Sequence, residues 1–231
     1  MTGRPRFRRS RAAAASLLAA CVLWPATAHA QAPRRRVEVS GGAFLHAAHD
    51  LGSREATLVR NQPGGGSFTL FRTESRVRTA AGAELRLAYH VTRAIAAEAG
   101  LTWTRPELVT RTSGDAENAP GVTARDRFQQ YTIEGSVLVH LEPLAVAGAV
   151  PFVRAGAGHL RQLFDANTLV ETGRAYHVGG GLTFWTGRGR RRLRGWGLRG
   201  DGRVYVLDGA FEVAPRPRIF GAAGVSVVVA F

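Results

Sequence analysis

The sequence predicts an all-β protein, an eight-stranded antiparallel up-and-down transmembrane β-barrel with a cleaved N-terminal signal peptide. Three observations predict it: short segments in which side-chain character alternates, glycine-rich turns between them, and a last segment whose bulky residues recur at every second position. Those bulky residues are Val225, Val227, Val229 and Phe231, and mostly small residues fill the alternate positions. A soluble barrel places its bulk inside, so this pattern favours hydrocarbon outside, where a strand of about 9–11 residues crosses the membrane.

The first 30 residues are typical of a signal peptide for Sec-type export. Five arginines precede an apolar run over 12–24, and Ala28-His-Ala30 forms a small-x-small cleavage pattern. We therefore expect a signal peptide at 1–30 and a barrel domain at 31–231.

Two alternatives concern the same leader. Leu18-Ala-Ala-Cys21 resembles a lipoprotein box, in which Cys21 becomes the lipidated first residue of the mature chain. The apolar run continues past it to Trp24, which favours cleavage after Ala30. Arg8-Arg9 resembles a twin-arginine signal, but that route carries folded cargo and a membrane barrel must arrive unfolded.

Composition excludes several classes of protein. All 31 basic residues are arginine, against 17 acidic residues, and the formal net charge is +14. The arginines are scattered and no recognised nucleic-acid motif accompanies them, so we expect anionic lipid phosphates rather than nucleic acid as their partners. A mature chain without residues 1–30 has no cysteine, which excludes a disulfide framework and a thiolate metal site.

Eight segments carry the strand pattern, and an even number returns the chain to the side where it began. Short connections at 90–93, 141–149 and 186–195 lie on one side, and long loops at 47–79 and 106–126 lie on the other. The predicted strands are 36–46, 80–89, 94–105, 127–140, 150–162, 174–185, 196–207 and 218–231.

Aromatic residues on the outward face fall near the strand ends, as expected for rings that prefer a membrane interface. The predicted outer girdle comprises Trp103, Tyr131 and Tyr176. The predicted inner girdle comprises Tyr89, Phe184 and Trp196, with Phe231.

The charged residues of the strands have inward parity, four of them acidic and four basic. An eight-stranded lumen is just wide enough for side chains to fill, and buried charges must be paired. We therefore predict an ion-pair ladder that closes the lumen; a water-filled pore lined by the same charges is the rival interpretation. The residues are Glu84, Arg86, Glu98, Glu134, Arg154, Arg199, Asp201 and Arg203.

Catalytic and metal-binding patterns are weak. His46 and His49 fall on opposite strand faces unless the chain turns between them, and His90, His140 and His177 share inward parity, where capping or hydrogen bonding accounts for them. No nucleophile elbow or phosphate-binding glycine loop occurs, and no Ser/His/acid set can be assembled at an interface. We expect no enzyme activity, no cofactor and no metal.

Four motifs are similar to strands of small outer-membrane β-barrels of Gram-negative bacteria, the OmpA-type, OmpX-type and OmpW-type families. They span 151–158, 179–184, 197–205 and 224–231. The resemblance implies that Val225, Val227, Val229 and Phe231 form the signal that the barrel-assembly machinery recognises. No peptidoglycan-binding domain follows Phe231, so that function of the OmpA type is not carried over.

The resemblance implies a location in the bacterial outer membrane, with outer-membrane lipids, lipopolysaccharide and the assembly machinery as partners. We expect a non-enzymatic integral barrel with a side-chain-filled lumen that acts in envelope structure or in surface contact through its outer loops. The alternatives are a narrow channel or porin-like conduit for small hydrophobic molecules, a lipid A-modifying enzyme, and a soluble lipocalin-like carrier with its apolar faces turned inward.

Overall fold

The computed structural model describes residues 37–59, 66–117, 119–164, 169–188, 195–209 and 217–231. The predicted signal peptide and its alternative at Cys21 lie outside the described residues. No helix in these ranges is long and apolar enough to span a membrane. A 3-10 turn occupies Glu142–Leu144. The strands are β1 (Val37–His46), β2 (His49–Val59), β3 (Ser67–Val77), β4 (Ala80–His90), β5 (Ile95–Thr104), β6 (Glu107–Ser113), β7 (Val122–Arg127), β8 (Gln129–His140), β9 (Ala149–Phe164), β10 (Leu169–Arg188), β11 (Gly195–Gly209) and β12 (Arg218–Ala230).

Eight of these strands close into an antiparallel barrel in the order β1-β12-β11-β10-β9-β8-β5-β4. Strand β1 closes it, because β1 pairs with β12 on one side and with β4 on the other. The predicted eight-stranded barrel is confirmed, and each barrel strand matches one predicted segment. The largest difference is β10, which extends beyond the predicted 174–185 at both ends.

The two ends of the barrel differ. One end, the turn end, carries Val37, Ala230 and the short connections 91–94 and 141–148. The other, the sheet end, carries a second sheet of four strands in the order β2-β3-β6-β7.

This second sheet corrects the prediction of long loops at 47–79 and 106–126, which hold four further strands. Strands β2 and β3 pair with each other, as do β6 and β7, and pairing of β3 with β6 joins the two hairpins. Alternation marks a strand only when its two faces have different surroundings. All six residues of β7 are exposed, so that strand carries no such signal.

Side chains of the barrel strands alternate between the lumen and the outer surface. Burial in β5 changes at every residue from Ile95 to Thr104. On the outer surface large apolar side chains are exposed, among them Ile133 at 65%, Val178 at 60% and Val225 at 64%. The outside of the barrel is therefore an apolar wall.

Apolar side chains fill the lumen near both ends. Near the sheet end Phe44 and Tyr205 pack edge to face, and Tyr205 stacks on Phe220, with Leu160 and Leu207 beside them. Near the turn end the cluster consists of Ala88, Ala96, Leu138 and Phe152. The charged residues lie between these two layers.

Candidate functional site

The eight charged residues assigned to the lumen from the sequence all lie there, each at most 9% exposed. Arg86 of β4 binds three carboxylates at once. Its Nη1 donates to Glu98 Oε1 at 2.8 Å, its Nε donates to Glu84 Oε2 at 3.2 Å, and its Nη2 donates to Glu134 Oε1. One guanidinium thus joins β4, β5 and β8.

Two further arginines complete a ring of ion pairs. Arg203 Nη2 lies 2.7 Å from Glu84 Oε2 and 2.9 Å from Asp201 Oδ1. Arg154 Nη1 lies 3.1 Å from Glu98 Oε1, and Arg154 Nη2 lies 3.8 Å from Asp201 Oδ1. In order of contact the ring consists of Arg86, Glu98, Arg154, Asp201, Arg203 and Glu84.

Arg199 connects this lumen ring to Glu38, which is not among the eight lumen charges predicted from the sequence. Its Nη1 lies 3.2 Å from Glu98 Oε2 and its Nη2 lies 2.7 Å from Glu38 Oε2. Glu38 is 2% exposed and has inward parity on β1, so the alternation that placed the other charges could also have placed this one.

The lumen ring spans the barrel, because its members come from β4, β5, β9 and β11. Removing charges from water costs several kcal/mol for each ion, and close contact with opposite charges offsets that cost. Guanidinium groups suit this task, since each can donate to several carboxylate oxygens in a fixed plane. The result is a side-chain plug across the middle of the lumen.

Glycines leave room for the lumen ring. A Cβ atom at Gly224 would lie 2.8 Å from Glu84 Oε1 and 2.9 Å from Arg203 Nη2. A Cβ atom at Gly100 would lie 3.0 Å from Arg86 Nη1. A Cβ atom at either position of β12 or β5 would therefore displace charged groups of the ring.

A Ser/His/acid set does occur, but inside the lumen rather than at an interface. Ser136 Oγ lies 3.3 Å from His177 Nε2, and His177 Nδ1 lies 3.4 Å from Glu134 Oε2. Ser136 is 7% exposed, and Glu134 also accepts hydrogen bonds from Arg86 and from the Tyr205 hydroxyl. The set is buried within the plug, so its serine lacks the open surface that a substrate needs.

His46 and His49 meet at the sheet end because the chain turns between them. Ala47 N donates to Gly221 O at 2.9 Å, which fixes that turn. The two imidazole centroids lie 5.1 Å apart, and they lie 4.2 and 4.9 Å from the ring of Phe220. Burial lowers the pKa of His49 to about 4, so this packed imidazole is neutral.

The girdle residues and the last-strand residues singled out from the sequence lie on the outside of the barrel. Trp103, Tyr131 and Tyr176 lie toward the sheet end, with Tyr131 half-buried and its hydroxyl donating to Gln129 Oε1. On the last strand Val229 is half-buried. The exposed ones are Trp103, Tyr176, Tyr89, Phe184, Trp196, Val225, Val227 and Phe231.

Comparison with solved structures identifies the architecture. The outer membrane protein OprG from Pseudomonas aeruginosa matches with a TM-score of 0.50 and 10% sequence identity over 84% of this chain and 95% of that chain. The fold is that of a small outer-membrane β-barrel. Neisserial surface protein A matches with a TM-score of 0.47 and 12% identity over 84% and 95% of the two chains. Ail, the attachment invasion locus protein of Yersinia pestis, matches at 0.41 and 10% over 85% and 99%.

No protein-family model matches the chain, and no curated protein matches it. The likeness therefore concerns the outer-membrane barrel fold, and function must be argued from the residues.

One surface of the barrel is strongly basic. A cleft of about 740 Å³ lies between the rim of β4 and β5 and the second sheet, and its lining includes five arginines and one carboxylate. Glu107 lies 3.1 Å from Arg78 and 3.7 Å from Arg127. Among the described residues Arg105 and Arg125 have no ion-pair partner. This arginine cleft is lined by Arg76, Arg78, Arg105, Arg125, Arg127 and Glu107, with smaller residues between them.

Proposed function

We propose that this protein is a non-enzymatic integral barrel of the bacterial outer membrane, exported by the Sec route, with a closed lumen and with its second sheet facing the surroundings of the cell. The observation that carries the proposal is the lumen ring, which fills the middle of a barrel whose outer wall is apolar. An apolar wall is stable against hydrocarbon, and a plugged lumen suits structure and contact rather than transport.

Single-channel recording of the refolded protein in a planar lipid bilayer tests the closed lumen. We expect no conductance steps from the unsubstituted protein. The double variant Arg86→Ala/Arg203→Ala, which removes two of the three guanidinium groups of the ring, should conduct. Arg174→Ala, which changes an exposed arginine of β10, is the control and should stay silent. Regular steps from the unsubstituted protein would instead favour the narrow channel.

Cysteine labelling tests the orientation. Ser53→Cys lies on β2 of the second sheet, and Arg93→Cys lies in the turn at 91–94; both positions are exposed. On intact cells a membrane-impermeant maleimide should label Ser53→Cys and should reach Arg93→Cys only after lysis. The unsubstituted chain, whose one cysteine is Cys21, is the control. The reverse pattern would place the second sheet in the periplasm.

We further propose that the arginine cleft binds phosphate groups of lipopolysaccharide in the outer leaflet. Arg105 follows Trp103 by two residues on the chain, so the cleft lies just beyond the proposed outer aromatic girdle, at the level of the lipid headgroups. Each arginine near an anionic surface contributes about 1 kcal/mol. Arginine is also suited to bidentate contact with phosphate.

Lipopolysaccharide binding to the protein in detergent micelles tests this contact. Arg105→Ser/Arg125→Ser should lower the affinity by about 2 kcal/mol, about thirtyfold. Arg93→Ser/Arg174→Ser removes the same charge outside the cleft and should change it far less. Dephosphorylated lipid A should compete poorly. If both double variants lost the same affinity, binding would rest on a general attraction between opposite charges, and specific contact with the arginine cleft would be contradicted.

Chemical labelling tests the non-enzymatic assignment. A fluorophosphonate that reacts with activated serine should not label Ser136, because the residue is buried and Glu134 is engaged by Arg86. A labelled peptide containing Ser136 that disappears in Ser136→Ala would favour an enzyme.

A further inference from the structure

We propose that Glu38, His90 and His140 form a metal site at the turn end of the lumen, which takes a divalent transition-metal ion such as Zn²⁺. Each residue offers one donor atom, and the three donor atoms lie within 4.8 Å of one another. The residues come from β1, β4 and β8, and the sequence separates them widely. The closed barrel brings them together.

The spacing of the donors fits a tetrahedral ion. His90 Nε2 lies 2.9 Å from Glu38 Oε1. In tetrahedral geometry, two ligand atoms that each lie about 2.0–2.2 Å from Zn²⁺ are about 3.4 Å apart. This separation is longer than the 2.9 Å between His90 and Glu38 and shorter than the 4.8 Å within which all three donor atoms lie. Two imidazoles and one carboxylate are a common ligand set for Zn²⁺ with one position left open.

An orphaned nitrogen is independent support. His140 is 8% exposed, and its Nδ1 is buried without a hydrogen-bond partner among the described residues. Leaving a buried polar atom unpaired is costly, and a metal ion would satisfy it. The His90 and His140 rings are held nearly parallel, with centroids 5.1 Å apart and planes at 25°.

The surroundings orient the donors. Arg199 Nη2 holds Glu38 Oε2 at 2.7 Å, so the other carboxylate oxygen faces His90. Such outer contacts fix the orientation of a metal-binding carboxylate. Strand β5 lies between β4 and β8; its Ala96 is paired with His90, and Ala94 O, just before β5, accepts from the backbone N of His140 at 2.7 Å.

The site has a route from solution. The His90 side chain is 11% exposed, and the turn that follows it, 91–94, is largely exposed. An ion could therefore enter from the turn end without crossing the lumen ring. The site thus lies within the lumen but is distinct from the lumen ring and from the arginine cleft.

Zn²⁺ binding to the refolded, tag-free protein, in competition with a chromophoric chelator, tests the proposal. We expect one ion per chain, and we expect His90→Gln and His140→Gln each to lower the affinity at least about tenfold, since even changes to outer contacts of a metal site cost that much. His159→Gln, at an exposed position on β9, and His177→Gln, inside the lumen, are matched controls that should bind normally.

A second measurement needs no variant. X-ray absorption of the Zn²⁺-loaded, unsubstituted protein should show two imidazole ligands and oxygen. Heat-modifiable mobility in gel electrophoresis identifies variants that have not folded. An oxygen-only shell, the absence of stoichiometric binding, or equal loss in the His159→Gln control would each overturn the site.

Discussion

Arg203 on β11 binds Glu84 on β4 with 2.7 Å between Nη2 and Oε2, although 119 residues separate them along the chain. The same guanidinium binds Asp201 on its own strand. This pair links two strands that are not neighbours in the barrel, so it ties opposite parts of the wall together through the lumen.

Arg203→Ala should therefore destabilise the barrel strongly. It leaves Glu84 and Asp201 buried with fewer opposite charges, and removing one partner of a buried pair costs about 3–5 kcal/mol. Urea unfolding of the refolded protein in lipid measures the change. Arg111→Ala, at an exposed position of β6, should stay within about 0.5 kcal/mol. Similar losses in both variants would show that the lumen ring adds no stability.

Gly224→Ala should destabilise the barrel by about 1–3 kcal/mol, because the new methyl group would displace Glu84 and Arg203 from the lumen ring. Gly202→Ala is the matched control, since nothing lies within 4 Å of a Cβ atom at that position of β11. The same urea titration compares them. If Gly202→Ala were as destabilised as Gly224→Ala, the loss of stability would come from replacing glycine in a strand and not from disturbing the lumen ring.

Val225→Arg should disfavour insertion into lipid. Val225 is 64% exposed on the outer wall, and a lipid-facing arginine near the middle of the bilayer costs about 2–4 kcal/mol. Val59, which is 67% exposed on β2, provides the control. Val59→Arg should have little effect on insertion if the second sheet lies in water. Folding into lipid vesicles gives the comparison, and equal behaviour of the two variants would contradict a membrane-facing wall.

Phe231→Ala should reduce assembly in cells more than refolding in detergent. Phe231 is 44% exposed on the outside of the barrel. Its backbone N donates to Val37 O at 2.9 Å, and this hydrogen bond does not require the aromatic side chain. Phe71→Ala, an exposed aromatic of β3, is the control. The amount of folded protein in purified outer membranes is the measurement. Unchanged amounts would remove Phe231 from the assembly signal.

Acid should loosen the packing of β2 on the sheet end. Burial lowers the pKa of His49 to about 4 from its ordinary value of 6.5. Between pH 4 and pH 6.5, His49 therefore binds more protons when β2 has detached from the sheet end than when it is packed there. Stability from this group is complete above pH 6.5 and is lost as the pH falls toward 4. Nearby Arg218 lowers this pKa further, and Asp50 raises it.

Hydrogen exchange of β2 amides measures that opening. His49→Phe keeps a ring against Phe220 without a titrating group, so its exchange should depend less on pH. A pH profile identical to that of the unsubstituted protein would assign the effect to another residue.

Alternation of side-chain character was sufficient to predict the eight barrel strands, because one face of each strand belongs to the apolar outer wall and the other faces the lumen. Glu134 and Val225 could be assigned to opposite sides of the wall from parity alone, since successive side chains of a strand point to opposite faces. Glu38 follows the same alternation on β1. Strands β2, β3 and β7 could not be found this way because both of their faces are largely exposed, and β6 could not because its residues are half-buried on both faces.

The order of residues was enough to predict a barrel with an apolar outside and charges within. Which charges meet was decided only by the closed structure, since the register between strands sets the height of each side chain in the lumen. Arg86 reaches Glu134 across β5, and Glu38 lies beside His90 because β1 pairs with β4, so the closed barrel brings together residues that are distant in the chain. Local periodicity carries no information about such distances.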